Sequence, residues 1–82
     1  MYKNRAPNGR HNLCGSWVAA LRKARAPKLS QRGLADMLQL NGLDVDKIAV
    51  QRIESGQRFV TDIELRALAR VLGVSVEDLL RV

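Results

Sequence analysis

The chain has 82 residues, a formal charge of +6, and only one cysteine and one histidine. That length suits one small domain with a modest core. One cysteine excludes an internal disulfide and a cysteine-built zinc site. No apolar run matches a signal peptide or a membrane span, so the expected setting is reducing and cytoplasmic, with no membrane partner.

The charge is unevenly placed. Residues 1–32 carry eight Lys/Arg and no acid, whereas the other six basic residues share residues 33–82 with all eight acids. Such asymmetry favours a polyanionic partner. Catalysis has little support, because general acid–base chemistry needs groups that converge in a pocket. His11 has no cysteine or acid at ligand spacing. Cys14 reads as a structural thiol near an apolar stripe. Asp44 and Asp46 lack the further acids of a calcium loop. No catalytic residue, metal, cofactor or small-molecule ligand is expected.

In chain order, residues 1–11 read as a flexible basic arm, polar and aperiodic, with Pro7 and Gly9. Residues 12–82 read as the folded domain. The first helix is expected from Asn12, as N-cap, to Arg25, stopped by Ala26-Pro27. Leu13, Trp17, Leu21 and Ala24, widened by Val18, form its expected core stripe. Trp17 has a second reading as an exposed partner-binding anchor. The next helix is expected from Ser30 as N-cap to about Leu40. Gly33 stands where a capping-box acid would sit, which weakens the first turn.

Gly42 can take the left-handed conformation that ends a helix, and Asp46 is a good N-cap for the one that follows. The third helix then runs from Asp46 to about Ser55, with Gly56 as its stop. Two helices joined by a glycine-containing turn have the layout of a helix-turn-helix. Thr61-Asp62-Ile63-Glu64 and Ser75-Val76-Glu77-Asp78 fit capping boxes that open a fourth and a fifth helix. Gly73 ends the fourth, whose core face is Ile63 or Leu65 with Leu68, Ala69, Val71 and Leu72. The class is therefore all-α, a compact five-helix bundle.

The third helix exposes Lys47, Ile48, Gln51 and Arg52, with no acid between Asp46 and Glu54. Arg52 suits a bidentate contact to guanine, Gln51 an adenine or a phosphate, and Ile48 a thymine methyl. Lys28 and Arg32 lie near the start of the second helix, where a helix N-terminus suits a phosphate.

The ordered series Leu29-Ser30-Gln31, Leu34-Ala35, Val50, Ile53-Glu54-Ser55-Gly56, Leu68-Ala69, Leu72-Gly73-Val74-Ser75 and Leu79-Leu80 resembles the Cro/XRE-type, lambda-repressor-like DNA-binding domain. The resemblance spans roughly residues 12–80. Two links are longer than is common in that family. One lies after Arg25. The other lies between Leu34-Ala35 and Ile53-Glu54, where the second helix is expected to gain a turn or loop 41–45 to bulge outward. A longer-turn subgroup with Leu-Asn-Gly-Leu-Asp-like sequence looks similar.

The resemblance implies a DNA-binding transcriptional regulator, a repressor, that reads the major groove of double-stranded DNA with the third helix, Lys47, Ile48, Gln51 and Arg52 being the base-reading set. It places Gln31, Gln57 and Arg58 on phosphates, beside Lys28 and Arg32, where contacts position the protein without specifying sequence. It pairs Arg22 with Glu54. It also implies a homodimer on two half-sites, for which Leu79, Leu80 and Val82 are the candidate contact. The competing reading is an antitoxin-like or adaptor module that binds another protein through Trp17 and that C-terminal cluster.

Overall fold

The computed structural model describes residues 9–81. Its five helices are α1 (Gly15–Lys23), α2 (Gln31–Leu40), α3 (Lys47–Ser55), α4 (Asp62–Leu72) and α5 (Val76–Leu79). α3 packs against both α1 and α2, α4 closes over α1 and α2, and α5 rests on α4. None of these helices is long and apolar enough to cross a membrane.

Four of the helices begin where a short polar side chain can accept from the first turn. Ser30 accepts from the Gly33 N–H, Asp46 from Ala49, Thr61 from Glu64 and Ser75 from Asp78. Each removes one orphan donor from a helix start. The last two are full capping boxes, as expected. At α2 the box is replaced by packing. A Cβ on Gly33 would lie 2.9 Å from Leu29 Cδ1, so the glycine makes room for Leu29, which packs against the core.

The α2–α3 connection turns at Gly42, whose φ of +84° is left-handed. The Gly42 N–H donates to the Gln39 carbonyl and Leu43 N–H to that of Leu38, both at 3.0 Å. This is a Schellman closure, which satisfies the last carbonyls of α2. α2 thus ends at Leu40, as expected. The loop does not simply bulge: Leu43 packs against the core, Val45 is buried, and the Gln39 side chain donates to the Val45 carbonyl at 2.7 Å. Asn41, Gly42 and Asp44 face solvent.

The core is continuous across the elements. Leu34, Leu38, Val50, Ile53, Leu68 and Leu79 are its large buried side chains, with Val18 and Cys14 from α1 and its start. Burial pushes the Cys14 thiol up to about 11, against its own backbone hydrogen bond and Arg10. At neutral pH it is a protonated, small apolar group.

Several expectations shift here. α1 is shorter than residues 12–25; Val18 and Leu21 of its expected stripe pack on the core, but the rest is shifted. Cys14, Val18 and Arg22 face inward, whereas Leu13 and Trp17 are 40% and 37% exposed and Ala24 is exposed. The cause is Arg22, which is only 8% exposed. Hydrophobic pattern reading treats an arginine as a surface residue, yet here it turns α1 inward. On α4, Ile63 is 72% exposed and Leu65 takes its place against the core. Leu79 is fully buried, so the apolar C-terminal cluster is not a surface as such. Leu80 is 39% exposed and Val82 lies outside the described residues.

Two ion pairs orient the elements around α3. Arg22 Nε meets Glu54 Oε2 at 2.7 Å and its Nη2 meets Oε1 at 3.0 Å, while Nη1 donates to the Leu29 carbonyl. Both side chains are under a tenth exposed. The glutamate hydrogen bond raises the Arg22 guanidinium above its already high ordinary range. Arg58 makes a similar two-pronged contact with Glu64, at 3.0 and 2.7 Å. Burial pushes the Glu64 carboxyl up. Its bonds from Arg58 and Thr61 outweigh burial and leave it below its ordinary value of 4.5.

Each pair makes an expected outcome. Arg22→Ala strands the Glu54 carboxylate among packed groups and should cost about 3–5 kcal/mol in urea unfolding. The double replacement Arg22→Met with Glu54→Leu should cost far less, because no buried charge is left alone. Glu64 has a depressed folded pKa, so it contributes stability above its ordinary value that is lost as pH falls through the folded value. Glu64→Gln should make the acid limb of stability against pH shallower. The limb should not go flat, because the Asp78 carboxyl, bonded by Ser75, is also held low.

Candidate nucleic-acid interface

α3 offers one exposed face. Val50 and Ile53 are its buried residues, and the remaining positions carry the polar chemistry. Lys47, Gln51 and Arg52 are exposed, and Ile48 is 49% exposed. The four residues thus share a solvent face one to two turns long. Among the described residues, neither Lys47 nor Arg52 is in an ion pair. Asp46 sits at the start of this face, but its carboxylate is committed to the Ala49 N–H at 2.8 Å. Asp46 keeps its negative charge there, so the face runs from one capping acid at its start to Lys47 and Arg52.

The flanking residues divide into two groups. Lys28 and Arg32 are exposed and, among the described residues, unpaired with any acid. Gln57 is exposed beyond the end of α3. Gln31 and Arg58 differ, because both side chains already have internal partners. Gln31 Nε2 donates to Glu54 Oε1 at 3.0 Å. Arg58 is held by Glu64, which offsets its charge. An open groove runs between α3 and the linker to α4, lined by Ile48, Arg52, Arg58 and Phe59 and by the acids Asp46 and Glu64.

The end of α3 is built from residues that periodicity could not reveal. Gly56 takes φ +82°, and the Gln57 N–H returns to the Arg52 carbonyl at 2.9 Å. Against this end lies the stretch Arg10–Asn12. Arg10 Nη2 donates to the Glu54 carbonyl at 2.6 Å and the His11 N–H to the Gly56 carbonyl at 2.8 Å. Asn12 Nδ2 donates to the carbonyls of Ile53 and Arg58 at 3.1 and 2.7 Å, and its Oδ1 accepts from the Gly15 N–H. The His11 ring packs on Phe59 with centroids 4.7 Å apart, and its buried Nδ1 has no hydrogen-bond partner among the described residues.

Residues 1–8 of the expected arm lie outside the described residues, but Arg10 and His11 are tied to the domain. The sequence signals this attachment only at Asn12, whose residue type by itself points to a helix cap. Trp17, the other singled-out residue, donates through Nε1 to the Arg81 carbonyl at 2.9 Å. Its polar edge is therefore satisfied within the chain.

Comparison with known proteins agrees with this geometry. The helix-turn-helix family HTH_3 matches residues 18–79. Among solved structures, the restriction-modification controller protein C.AhdI from Aeromonas hydrophila is similar at a TM-score of 0.65 and 31% identity, covering 79% of this chain and 84% of that one. No curated protein matches the sequence. The chain belongs to the Cro/C1-type helix-turn-helix family, and is a DNA-binding transcriptional regulator of the XRE kind.

Proposed function

We propose that the protein is a sequence-specific repressor that lays α3 in the major groove of its operator. The observation that carries this reading is the α3 face itself, with Lys47, Ile48, Gln51 and Arg52 exposed and no unsatisfied acid among them. Arg52 would take guanine through its planar fork. Gln51 suits adenine, and Ile48 a thymine methyl. Lys47, at the entering end of the helix, reaches either a base edge or a phosphate. The similarity to a restriction-modification controller protein supports a regulatory role.

Lys28, Arg32 and Gln57 would meet phosphates around this face. So would Gln31 and Arg58, with what their internal bonds leave over. The Gln31 amide has a second N–H beyond the one given to Glu54, and its backbone N–H opens α2. Arg58 has its charge offset by Glu64, so it contributes less to the salt dependence than Arg32. A homodimer on two mirrored half-sites about one helical turn apart is the assembly that fits such a reader. Leu80, with Trp17 bonded to the adjacent Arg81 carbonyl, is exposed apolar material for it at the C-terminal end, although Leu40 and Ile63 are more exposed elsewhere.

Selection of bound sequences from a random duplex pool tests the reading directly, since mirrored half-sites would report base reading and dimerisation together. Against a panel of single-base variants of the selected site, Arg52→Ala should cost about 1–3 kcal/mol and relax choice at one base pair. Arg32→Ala should weaken binding to every sequence alike and reduce the log–log salt slope by about 0.9. Arg58→Ala should reduce it less. A base-preference profile untouched by Arg52→Ala would remove Arg52 as a reading residue and leave the reading to Lys47, Ile48 and Gln51.

A further inference from the structure

We propose that Arg10 and Asn12 are positioning residues for base reading, forming a strap that sets the angle at which α3 is presented to DNA. This rests on the assignment of base reading to α3.

The last carbonyls of a helix have no partner within it and must find one elsewhere. Those of α3 find much of theirs in a stretch more than forty residues away in sequence. Arg10 bonds the Glu54 carbonyl and His11 that of Gly56, while Asn12 bonds those of Ile53 and Arg58. A cation at this end also complements the helix dipole. The Asn12 amide spans two segments, because Ile53 lies in α3 and Arg58 in the linker that follows it.

The fit is close enough to dictate glycines on both sides. A Cβ on Gly15 would run into the Ile53 carbonyl oxygen, and a Cβ on Gly56 would lie 2.7 Å from the Arg10 guanidinium carbon. The strap and the first turn of α1 thus form one abutment against the C-terminal end of α3. Arg52 projects from that same last turn, next to Ile53. A small rotation of the helix end moves the Arg52 fork relative to a base edge, whereas phosphate contacts at exposed, flexible side chains tolerate it. The strap therefore governs discrimination between sequences more than total affinity.

Asn12 performs two separable tasks. Its Oδ1 caps the Gly15 N–H, and its Nδ2 holds α3 and the linker. Asn12→Ser keeps a capping acceptor and withdraws the Nδ2 amide that reaches the Ile53 and Arg58 carbonyls, without changing charge. Arg10→Gln leaves Asn12 intact and withdraws the guanidinium from Glu54.

The experiment measures, for the full chain, the ratio of affinity for a duplex selected by the wild-type protein to that for a scrambled duplex of the same composition. Asn12→Ser and Arg10→Gln should each lower this ratio about fivefold or more, the equivalent of one net hydrogen bond. Val50→Ala, a core change in the same helix, should lower the melting temperature at least as much and leave the ratio within about twofold of wild type. An unchanged ratio in both strap variants overturns the proposal. So does a ratio that simply follows melting temperature across all three variants. If Asn12→Ser does not fold, Arg10→Gln decides alone. A variant with Lys47, Ile48, Gln51 and Arg52 all replaced by Ala is run beside them. If it leaves base preference intact, base reading by α3 fails and the strap's role fails with it. If it relaxes preference while the strap variants do not, only the strap's role fails.

Discussion

The structure depends on how Glu54 is held. Its carboxylate takes the Arg22 fork and the Gln31 amide, and its backbone carbonyl takes Arg10. One residue in the last turn of α3 therefore ties that helix to α1, to the start of α2 and to the segment before α1. A buried carboxylate is costly unless it is paired and hydrogen-bonded. Here three bonds to the carboxylate meet that cost, and each comes from an element that must be in place for the helix-turn-helix to exist. The pair stabilises one arrangement of α1, α2 and α3 by making the alternatives expensive.

This arrangement also sorts the cations by task. Arg22 is fully consumed inside, and Arg58 is consumed at the start of α4. Lys28, Arg32, Lys47 and Arg52 have no acid partner among the described residues and lie exposed on or around α2 and α3. The overall charge of +6 is therefore a poor guide to binding. What matters is where the unpaired charges lie: among the described residues Lys28, Arg32, Lys47 and Arg52 surround the α3 face, while Lys23, Arg66 and Arg70 are exposed elsewhere without an ion pair.

The helix boundaries were legible where a local rule decides them. Ser30, Asp46, Thr61 and Ser75 cap as their chemistry requires, and Gly42, Gly56 and Gly73 stop helices by adopting positive φ. The Arg22–Glu54 pair followed from the family resemblance. The phase of α1 was not legible, because one inward arginine displaced Trp17 and Leu13 from the core. Nor was the attachment of Arg10–Asn12, since bonds to distant carbonyls leave no periodicity. The four expected base-reading residues are exposed together on α3. Of the five expected phosphate residues, Gln31 and Arg58 carry internal bonds that spacing alone could not show.

The exposed α3 face also bears on how such a regulator changes its target. Lys47, Ile48, Gln51 and Arg52 bear almost none of the packing, which falls to Val50 and Ile53, while Glu54 and Gly56 hold the frame. Substitutions at those four surface positions should therefore be nearly neutral for folding. On the proposed reading, the protein can drift among operators without first passing through unfolded intermediates, and a designer could graft a new set of side chains onto the same scaffold. The freedom has a sharp boundary: one residue further along the helix, at Ile53, the same kind of exchange would open the core.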